Sequence, residues 1–114
     1  MLRFMLNSKI HRATVTEADV NCTGSISIDK SLIKKVDILP GEKVLVVNLT
    51  NGQRFETYVQ EEKSGSGNII MNGWTARLCS VGDKVTIMSF CMSDGKIEPK
   101  KILVDEKNKF YKSL

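Results

Sequence analysis

A glycine followed by a serine, Gly24-Ser25, is the pair in this sequence that could do chemistry on the chain itself. It lies between a polar turn and the start of a predicted strand. Glycine has no side chain, so it can adopt backbone conformations closed to other residues and leaves its carbonyl carbon unshielded. The Ser25 hydroxyl could attack that carbonyl and convert the amide into an ester. Taken alone, the pair is more typical of a turn glycine followed by the first residue of a strand.

Two cations and a tyrosine are further candidates for a site. Arg54 can form a bidentate pair with a carboxylate and Lys9 offers a compact charge, so together they suit a substrate with two carboxylates. Each alone is equally typical of a surface cation. Thr57 and Tyr58 are adjacent on a predicted strand and should face opposite sides of it. Tyr58 could also be a core aromatic residue with a hydrogen-bonded hydroxyl.

Short strands must position these residues, since segments rich in Val, Ile, Thr and Phe alternate with Gly, Asn and Asp. A helix from an Asp29 N-cap to residue 35 or 36 and a helical turn over residues 74–78 are also predicted. Asn51-Gly52 predicts a two-residue hairpin turn, and residues 64–67 predict a flexible hairpin tip. The predicted strands are residues 3–6, 11–15, 25–28, 43–49, 54–60, 68–72, 84–90 and 102–104.

A weak internal repeat indicates a closed barrel. Residues 40–46 resemble residues 81–87, and each segment follows a helical stretch that itself follows a strand beginning just after Gly24 or Gly67. The chain therefore runs twice through strand, helix, Gly-acidic turn and strand. Closing such a sheet removes exposed edges, so the sequence predicts a mainly β barrel with one or two short helices.

Composition and charge limit the classes of protein to which this chain could belong. A length of 114 residues predicts a single domain, 1–114, and 41% apolar content is ordinary for a globular protein. No apolar run approaches the ~20 residues of a membrane helix, and the start does not match a secretory signal, so we expect a cytoplasmic protein with no membrane partner. Three cysteines and one histidine lack metal-ligand spacing, so no metal is expected. The net charge of +4 comes without a recognition motif, so no nucleic-acid partner is expected.

The order and spacing of several motifs resemble those of the pyruvoyl-dependent aspartate 1-decarboxylases, over about residues 5 to 90. The motifs are Lys9-Ile10-His11-Arg12, Gly24-Ser25, Arg54-Phe55-Glu56-Thr57-Tyr58 and Asn72-Gly73. The resemblance implies a small double-psi β-barrel that cleaves itself between Gly24 and Ser25 into chains 1–24 and 25–114. It implies a covalent pyruvoyl cofactor made from Ser25, with neither metal nor pyridoxal phosphate.

The resemblance also assigns roles to residues. It implies that a Schiff base forms with L-aspartate, that Tyr58 protonates the carbanion left by decarboxylation, and that β-alanine and carbon dioxide are released for pantothenate and coenzyme A synthesis. It implies a homotetramer with sites between subunits, and allows for a maturation factor. Self-processing would use Gly24, Ser25 and Thr57, catalysis Ser25 and Tyr58, and substrate binding Lys9, Arg54, Thr57, Asn72, Gly73, Trp74 and Thr75.

Three positions depart from the family pattern. Cys22 stands where tyrosine is usual, Trp74-Thr75 stands where two alanines are usual, and the stretch around Val47 lacks a common tryptophan. We hypothesise that Trp74 fills volume that those other aromatics occupy elsewhere. Because an indole could occlude a pocket sized for aspartate, a pyruvoyl-dependent decarboxylase of another amino acid is one alternative. A non-catalytic small β-barrel that serves as a binding module is the other.

Overall fold

Alternating burial along the chain makes most of it β-structure. In one strand Phe55, Thr57 and Val59 are buried while the residues between them are exposed. A computed structural model describes all residues, 1–114. Neither of its helices is long and apolar enough to cross a membrane. The elements are β1 Arg3–Thr14, β2 Glu17–Asp19, β3 Ser25–Asp29, α1 Lys30–Val36, β4 Lys43–Asn48, β5 Arg54–Glu62, β6 Ile69–Asn72, a 3₁₀ helix Gly73–Arg77, β7 Lys84–Ser93, β8 Lys100–Val104 and β9 Phe110–Ser113.

All nine strands belong to one sheet in the order β2-β6-β3-β5-β4-β7-β1-β8-β9. Thr16, just after β1, joins the two sides of this order. Its backbone N–H donates to the Ile69 carbonyl at 2.8 Å, and its hydroxyl accepts from the Ile69 N–H at 2.9 Å. These bonds bring the β1 side of the sheet to the β6 side, so the sheet curls around its apolar face.

The pairing pattern repeats itself across the chain, as the sequence predicts. β3 pairs with β5 in parallel and β6 pairs with β2 in parallel. β4 pairs with β5 antiparallel, and β7 pairs with β1 in the same way. The corresponding strands also pair with each other, β3 with β6 and β4 with β7. The two strand–helix–strand units are therefore related by an approximate two-fold axis, and α1 corresponds to the 3₁₀ helix.

Helix α1 begins at the predicted N-cap, Asp29, and ends at Val36. The buried Asp29 carboxylate accepts from Ser31 N at 2.8 Å, and also from Gly65 N at 2.9 Å and Gly67 N at 2.8 Å. Burial alone would raise its pKa, but these hydrogen bonds hold the pKa below its ordinary value. One carboxylate therefore caps the helix and fastens the loop before β6.

Three predictions about strands need correction. The segments 3–6 and 11–15 form one strand, β1, which continues through register shifts between Leu6 and Ser8 and between Ile10 and Ala13. Arg12, inside the second shift, has a φ of 62°. Such bulges carry a strand across polar residues that interrupt its apolar pattern. Strands β2 and β9 have no buried residue, so no alternation marked them.

Two loop predictions also need correction. The Asn51-Gly52 hairpin between β4 and β5 is present, but its turn spans residues 49–53 because Asn48 Oδ1 accepts from Thr50 N at 2.9 Å and from Asn51 N at 3.3 Å. Residues 64–67 do not form a hairpin tip. They connect β5 to β6 across the intervening β3, and Asp29 anchors them.

Candidate active site

Ser25 lies at the start of β3 and is completely buried. Its hydroxyl oxygen accepts a hydrogen bond from Asn72 Nδ2 at 3.0 Å and donates to the Thr23 carbonyl oxygen at 3.3 Å. The same Asn72 amide donates to Ser27 Oγ at 2.9 Å. Because a buried hydroxyl with two partners cannot rotate freely, the position of the Ser25 oxygen is fixed beside the preceding peptide bond.

Thr75 fixes the other side of the same residue. Its buried hydroxyl lies 3.2 Å from the Ser25 carbonyl oxygen and 2.8 Å from the Asn72 carbonyl oxygen. The sequence places Thr75 among the substrate-binding residues, and this geometry commits its hydroxyl to backbone groups of β3 and β6. The Thr75 hydroxyl therefore links the backbones of β3 and β6 and is not free to donate a hydrogen bond to a substrate.

Gly73 allows the chain before Ser25 to pass very close to the 3₁₀ helix. The φ of Gly73 is 64°, and a Cβ at this position would overlap the Cys22 carbonyl oxygen and lie 2.6 Å from Gly24 N. A residue with a side chain at position 73 would therefore push residues 22–24 away from Asn72. The structure brings together Gly24, Ser25, Asn72, Gly73 and Thr75, as the sequence predicts.

Gly24 has a φ outside the left-handed region. A Cβ on Gly24 would overlap the indole of Trp74, so in this arrangement the indole leaves no room for another side chain at position 24.

The Trp74 side chain lies directly against Gly24. Its indole packs edge-to-face on Phe55, with ring centroids 5.5 Å apart and an interplanar angle of 77°, and it remains 48% exposed. Phe55 is buried on the inner face of β5. The indole therefore occupies the space next to Gly24, the residue before Ser25.

Thr57 and Tyr58 face opposite sides of β5, as strand geometry predicts. Thr57 is buried opposite Val44, and Tyr58 is 37% exposed opposite Lys43. The parallel pairing of β3 with β5 begins at Ile26 and Val59, so Thr57 and Tyr58 lie just before its first pair. Tyr58 also borders a shallow cavity of about 260 Å³ that Thr57, Lys43 and Glu56 line as well.

Lys9, Arg54 and Tyr58 lie on one outward face of the sheet. The register places Lys9 opposite Met88, Met88 opposite Leu45, and Leu45 opposite Glu56. Arg54 and Tyr58 lie two residues before and two residues after Glu56 on β5, so all three side chains are on the same face. Within one chain Lys9 and Arg54 do not converge, because β4 and β7 lie between their strands and three interstrand spacings amount to roughly 14 Å. Their charges are free, since the ion pairs of the chain are formed by the N-terminus, Lys30, Lys43 and Lys84.

The pKa values of His11 and Cys22 are both shifted in the direction that favours the neutral form. Burial, followed by the charges of Lys9 and Arg12, lowers the pKa of His11, whose Nδ1 lies 3.1 Å from Thr86 Oγ1. A hydrogen bond to Asp19, with Sγ and Oδ2 3.2 Å apart, raises the pKa of the Cys22 thiol. Thiolate is the nucleophilic form of cysteine, so this contact disfavours Cys22 as a nucleophile.

Sequence reasoning missed three contributors to the site: the Thr23 carbonyl that accepts from Ser25, the Ser27 hydroxyl that shares Asn72, and Phe55 beneath Trp74. Ser27 carried a signal, because two serines spaced by two residues on an apolar strand place two hydroxyls on one face. Phe55 and Thr23 carried none, since their roles depend on contacts with distant segments.

The fold class follows from similarity to solved structures. The rationally designed protein mkDPBB_sym1 matches with a TM-score of 0.53 and 22% identity over 78% of this chain and 99% of that one. The designed protein mkDPBB_sym_86 matches with a TM-score of 0.52 and 19% identity over 69% and 92%. Both belong to the double-psi β-barrel class. At these identities the similarity concerns the fold alone, and it confirms the predicted fold.

The family follows from sequence comparison. A family model described as aspartate decarboxylase matches residues 1–111. A protein of Thermoanaerobacter pseudethanolicus named aspartate 1-decarboxylase is 54% identical over 96% of this chain and 97% of its own length. One of Listeria welshimeri with the same name is 53% identical over 95% and 88%. The chain belongs to the aspartate decarboxylase family, which confirms the predicted resemblance.

Proposed function

We propose that this protein cleaves itself between Gly24 and Ser25 and then removes the α-carboxylate of L-aspartate, releasing β-alanine and carbon dioxide. The observation that carries the proposal is the buried Ser25 hydroxyl, held by Asn72 at 3.0 Å directly after a glycine. Family membership and the names of relatives about half identical in sequence support the activity. They also weigh against the alternative of a non-catalytic binding module.

Self-cleavage begins at the Gly24 carbonyl. A bond forms between Ser25 Oγ and the Gly24 carbonyl carbon, the Gly24–Ser25 amide bond breaks, and the hydroxyl proton passes to the freed amine. Asn72 Nδ2 donates to Ser25 Oγ and so holds the attacking oxygen in place next to this carbonyl. Loss of a proton from the Ser25 Cα then expels the Gly24 carboxylate from Cβ, and water displaces the nitrogen as ammonia. The Ser25 residue is left as a pyruvoyl group, the covalent cofactor that we propose.

The residues present fit such a group. Thr75 Oγ1 already lies 3.2 Å from the Ser25 carbonyl oxygen, the carbonyl next to the ketone that cleavage would create. Asn72 would keep a donor at the position that Ser25 Oγ now occupies. In this family of reactions a pyruvoyl ketone withdraws electrons from a bound amine as carbon dioxide leaves. The chain contributes the fixed donors around it, and we propose that Tyr58 delivers a proton to the product carbon.

Substrate recognition falls to Lys9 and Arg54. Both carry a free positive charge on the outward face of the sheet, and two cations suit an amino acid with two carboxylates. Because Lys9 lies on the outward face of the sheet whereas Ser25 is completely buried in its own chain, we infer that Lys9 serves the Ser25 site of a neighbouring subunit. Backbone groups of Asn72, Gly73 and Trp74 would bind the rest of the substrate.

An exposed apolar surface on the same outward face supports the proposed homotetramer. Phe4 is 76% exposed, Met92 58% and Phe90 43%, and a cavity of about 290 Å³ lies between Phe4, Leu45 and Phe90. Apolar surface of this kind usually marks an interface. Sites between subunits would bury it and bring Lys9 to Ser25. We further propose a cytoplasmic role in supplying β-alanine for pantothenate and coenzyme A, with a maturation factor as an optional partner.

The test is carbon dioxide release from L-aspartate by the unchanged protein, by Ser25→Ala and by Ser27→Ala. Ser27 is a matched control because it is also buried on β3 and bonded to Asn72. Release by the unchanged and Ser27→Ala proteins, with none from Ser25→Ala, is the expected result. Equal release by Ser25→Ala would overturn the proposal.

A second candidate function keeps the same chemistry on another amino acid. Trp74 favours it, because the indole reduces the space above Ser25. Comparing carbon dioxide release from L-aspartate, L-glutamate and smaller amino acids at equal concentration separates the two. A higher kcat/KM for any of them than for L-aspartate would establish the second candidate.

A further inference from the structure

Trp74 is the only tryptophan of the chain, and its indole lies directly against residue 24. A Cβ on Gly24 would approach Nε1 and Cδ1 more closely than 3.0 Å, which real Cβ atoms essentially never do. The φ of Gly24 would allow other residues. With the indole in this position there is no room for a side chain at residue 24.

Several contacts keep the indole in that place. Phe55 supports it edge-to-face from the inner side of β5. The 3₁₀ helix that carries it begins at Gly73, whose positive φ turns the chain, and the next residue, Thr75, is buried and bonded to Ser25 and Asn72 backbone oxygens. Trp74 is thus part of the same rigid unit that holds the Ser25 hydroxyl.

We propose that Trp74 is a positioning residue for self-cleavage: its indole holds the Gly24 Cα, and with it the carbonyl carbon, at the Ser25 hydroxyl that Asn72 fixes. The inference rests on the proposed self-cleavage. Reacting atoms must sit about 3–3.5 Å apart with the right alignment, and a misplacement of about 1 Å can slow a reaction by about 100-fold. Without the indole, Gly24 has open space on one side and more freedom to leave that geometry.

The test is the rate at which fragments 1–24 and 25–114 appear in freshly purified protein, for Trp74→Ala, Gly24→Ala and the double variant. Trp74→Ala should slow cleavage by about 10-fold or more. Gly24→Ala should slow it further, because the added methyl collides with the indole. In the double variant the collision is gone, so cleavage should be faster than in Gly24→Ala alone.

Trp74→Ala should slow cleavage when residue 24 is glycine and speed it when residue 24 is alanine. This reversal distinguishes positioning of Gly24 from general support of the fold. A merely structural Trp74 would slow cleavage in both backgrounds, and that result overturns the inference, as does an unchanged rate in both. Trp74→Phe, which keeps a ring, should restore part of the rate lost in Trp74→Ala. Thermal unfolding of each variant identifies any that does not fold.

A second measurement needs no substitution at Trp74. Cleavage turns Gly24 into a chain end that can leave the indole, so the tryptophan emission of the unchanged protein should shift with the same rate constant as fragment appearance. Ser25→Ala should show a constant spectrum. Fragments that accumulate without any change in emission contradict the contact. An unchanged chain that never cleaves overturns self-cleavage itself, together with this inference.

Discussion

Asn72 and Ser25 are directly opposite each other on the antiparallel strands β6 and β3, and the amide of one holds the hydroxyl of the other at 3.0 Å. The same amide holds Ser27 Oγ at 2.9 Å. A backbone register and a side-chain hydrogen bond therefore specify one position for the attacking oxygen. Because 47 residues separate the two along the chain, this position exists only once the barrel has closed.

Replacing Asn72 by alanine should slow self-cleavage by about 10-fold or more, because the Ser25 hydroxyl is no longer held in position to attack the Gly24 carbonyl. It should also lower the free energy of unfolding by about 1–3 kcal/mol, since two buried hydroxyls lose a partner. Fragment appearance on denaturing gels and urea unfolding measure the two effects. Asn68→Ala is the control, because Asn68 lies just before β6 and its side chain bonds to Glu62, away from Ser25 and Ser27. Equal cleavage rates for both variants would contradict the assigned role of Asn72.

Replacing Lys9 by alanine should raise KM for L-aspartate by about 10-fold or more, because one carboxylate of the substrate loses a charge-assisted hydrogen bond. Self-cleavage should continue at its normal rate. Steady-state kinetics of the processed protein check this. Lys101→Ala is the matched control, since Lys101 is half-buried directly beside Lys9 on β8.

Mixed assemblies test whether Lys9 acts on a neighbouring subunit. Ser25→Ala has no activity, and Lys9→Ala has little at an L-aspartate concentration far below its raised KM. At that concentration, co-expressed Lys9→Ala and Ser25→Ala chains should recover up to about a quarter of normal activity for random assortment. Recovery requires that an intact Lys9 of one chain meets an intact Ser25 of another. No recovery in an assembly shown to contain both chains would place the two residues of one site in a single subunit.

Acid should destabilise the protein through Asp29. Burial opposes its charged form, but hydrogen bonds from Gly67, Ser31 and Gly65 lower its folded pKa below 3.8, so its stabilising contribution is present above that pH and is lost as pH falls through the folded pKa. The free energy of unfolding should therefore decline below about pH 4. Asp29→Asn should lose about 2–3 kcal/mol at neutral pH and show a weaker decline in acid.

Urea unfolding across this pH range measures both effects of Asp29. The control is Asp37→Asn at the other end of α1, where the residue is exposed and asparagine tolerates its φ of 61°. If Asp29→Asn keeps the full acid dependence of the unchanged protein, the carboxylate is not its source.

Cys22 should react slowly for an exposed thiol, because its hydrogen bond to Asp19 raises its pKa. Asp19→Asn removes the negative charge and should speed alkylation of Cys22 at mildly alkaline pH several-fold. Peptide mass spectrometry after timed exposure to iodoacetamide measures each cysteine separately. Cys91 is the internal control, and Cys79 should stay unmodified because burial raises its pKa to about 11. An unchanged Cys22 rate would show that Asp19 does not control this thiol.

Local signals made part of the fold predictable. The Asp29 cap and the β4–β5 hairpin depend on residues close together in sequence, and the repeated Gly-acidic turns at Gly41 and Gly82 indicated two equivalent units. Long-range pairing was not predictable in the same way. Residues 64–67 look like a hairpin tip, but β3 lies between the strands that they connect. An exposed strand such as β9 has no apolar face to reveal it.

The candidate site was predictable mainly through its resemblance to a family. Spacing alone does not say that Asn72 would meet Ser25, or that Trp74 would meet Gly24, because strand register in a closed barrel decides both contacts. A contact between side chain and backbone that joins residues 50 apart leaves no mark in the local sequence.

Self-cleavage between Gly24 and Ser25 can be tested by the mass of the denatured, purified protein after prolonged incubation. We expect two fragments, residues 1–24 with an ordinary carboxylate and residues 25–114 beginning with a pyruvoyl group, from both the unchanged and the Ser27→Ala chains. Ser25→Ala should remain a single chain of 114 residues. An unchanged chain that stays intact, or one that is cut at another bond, would contradict self-cleavage at this position.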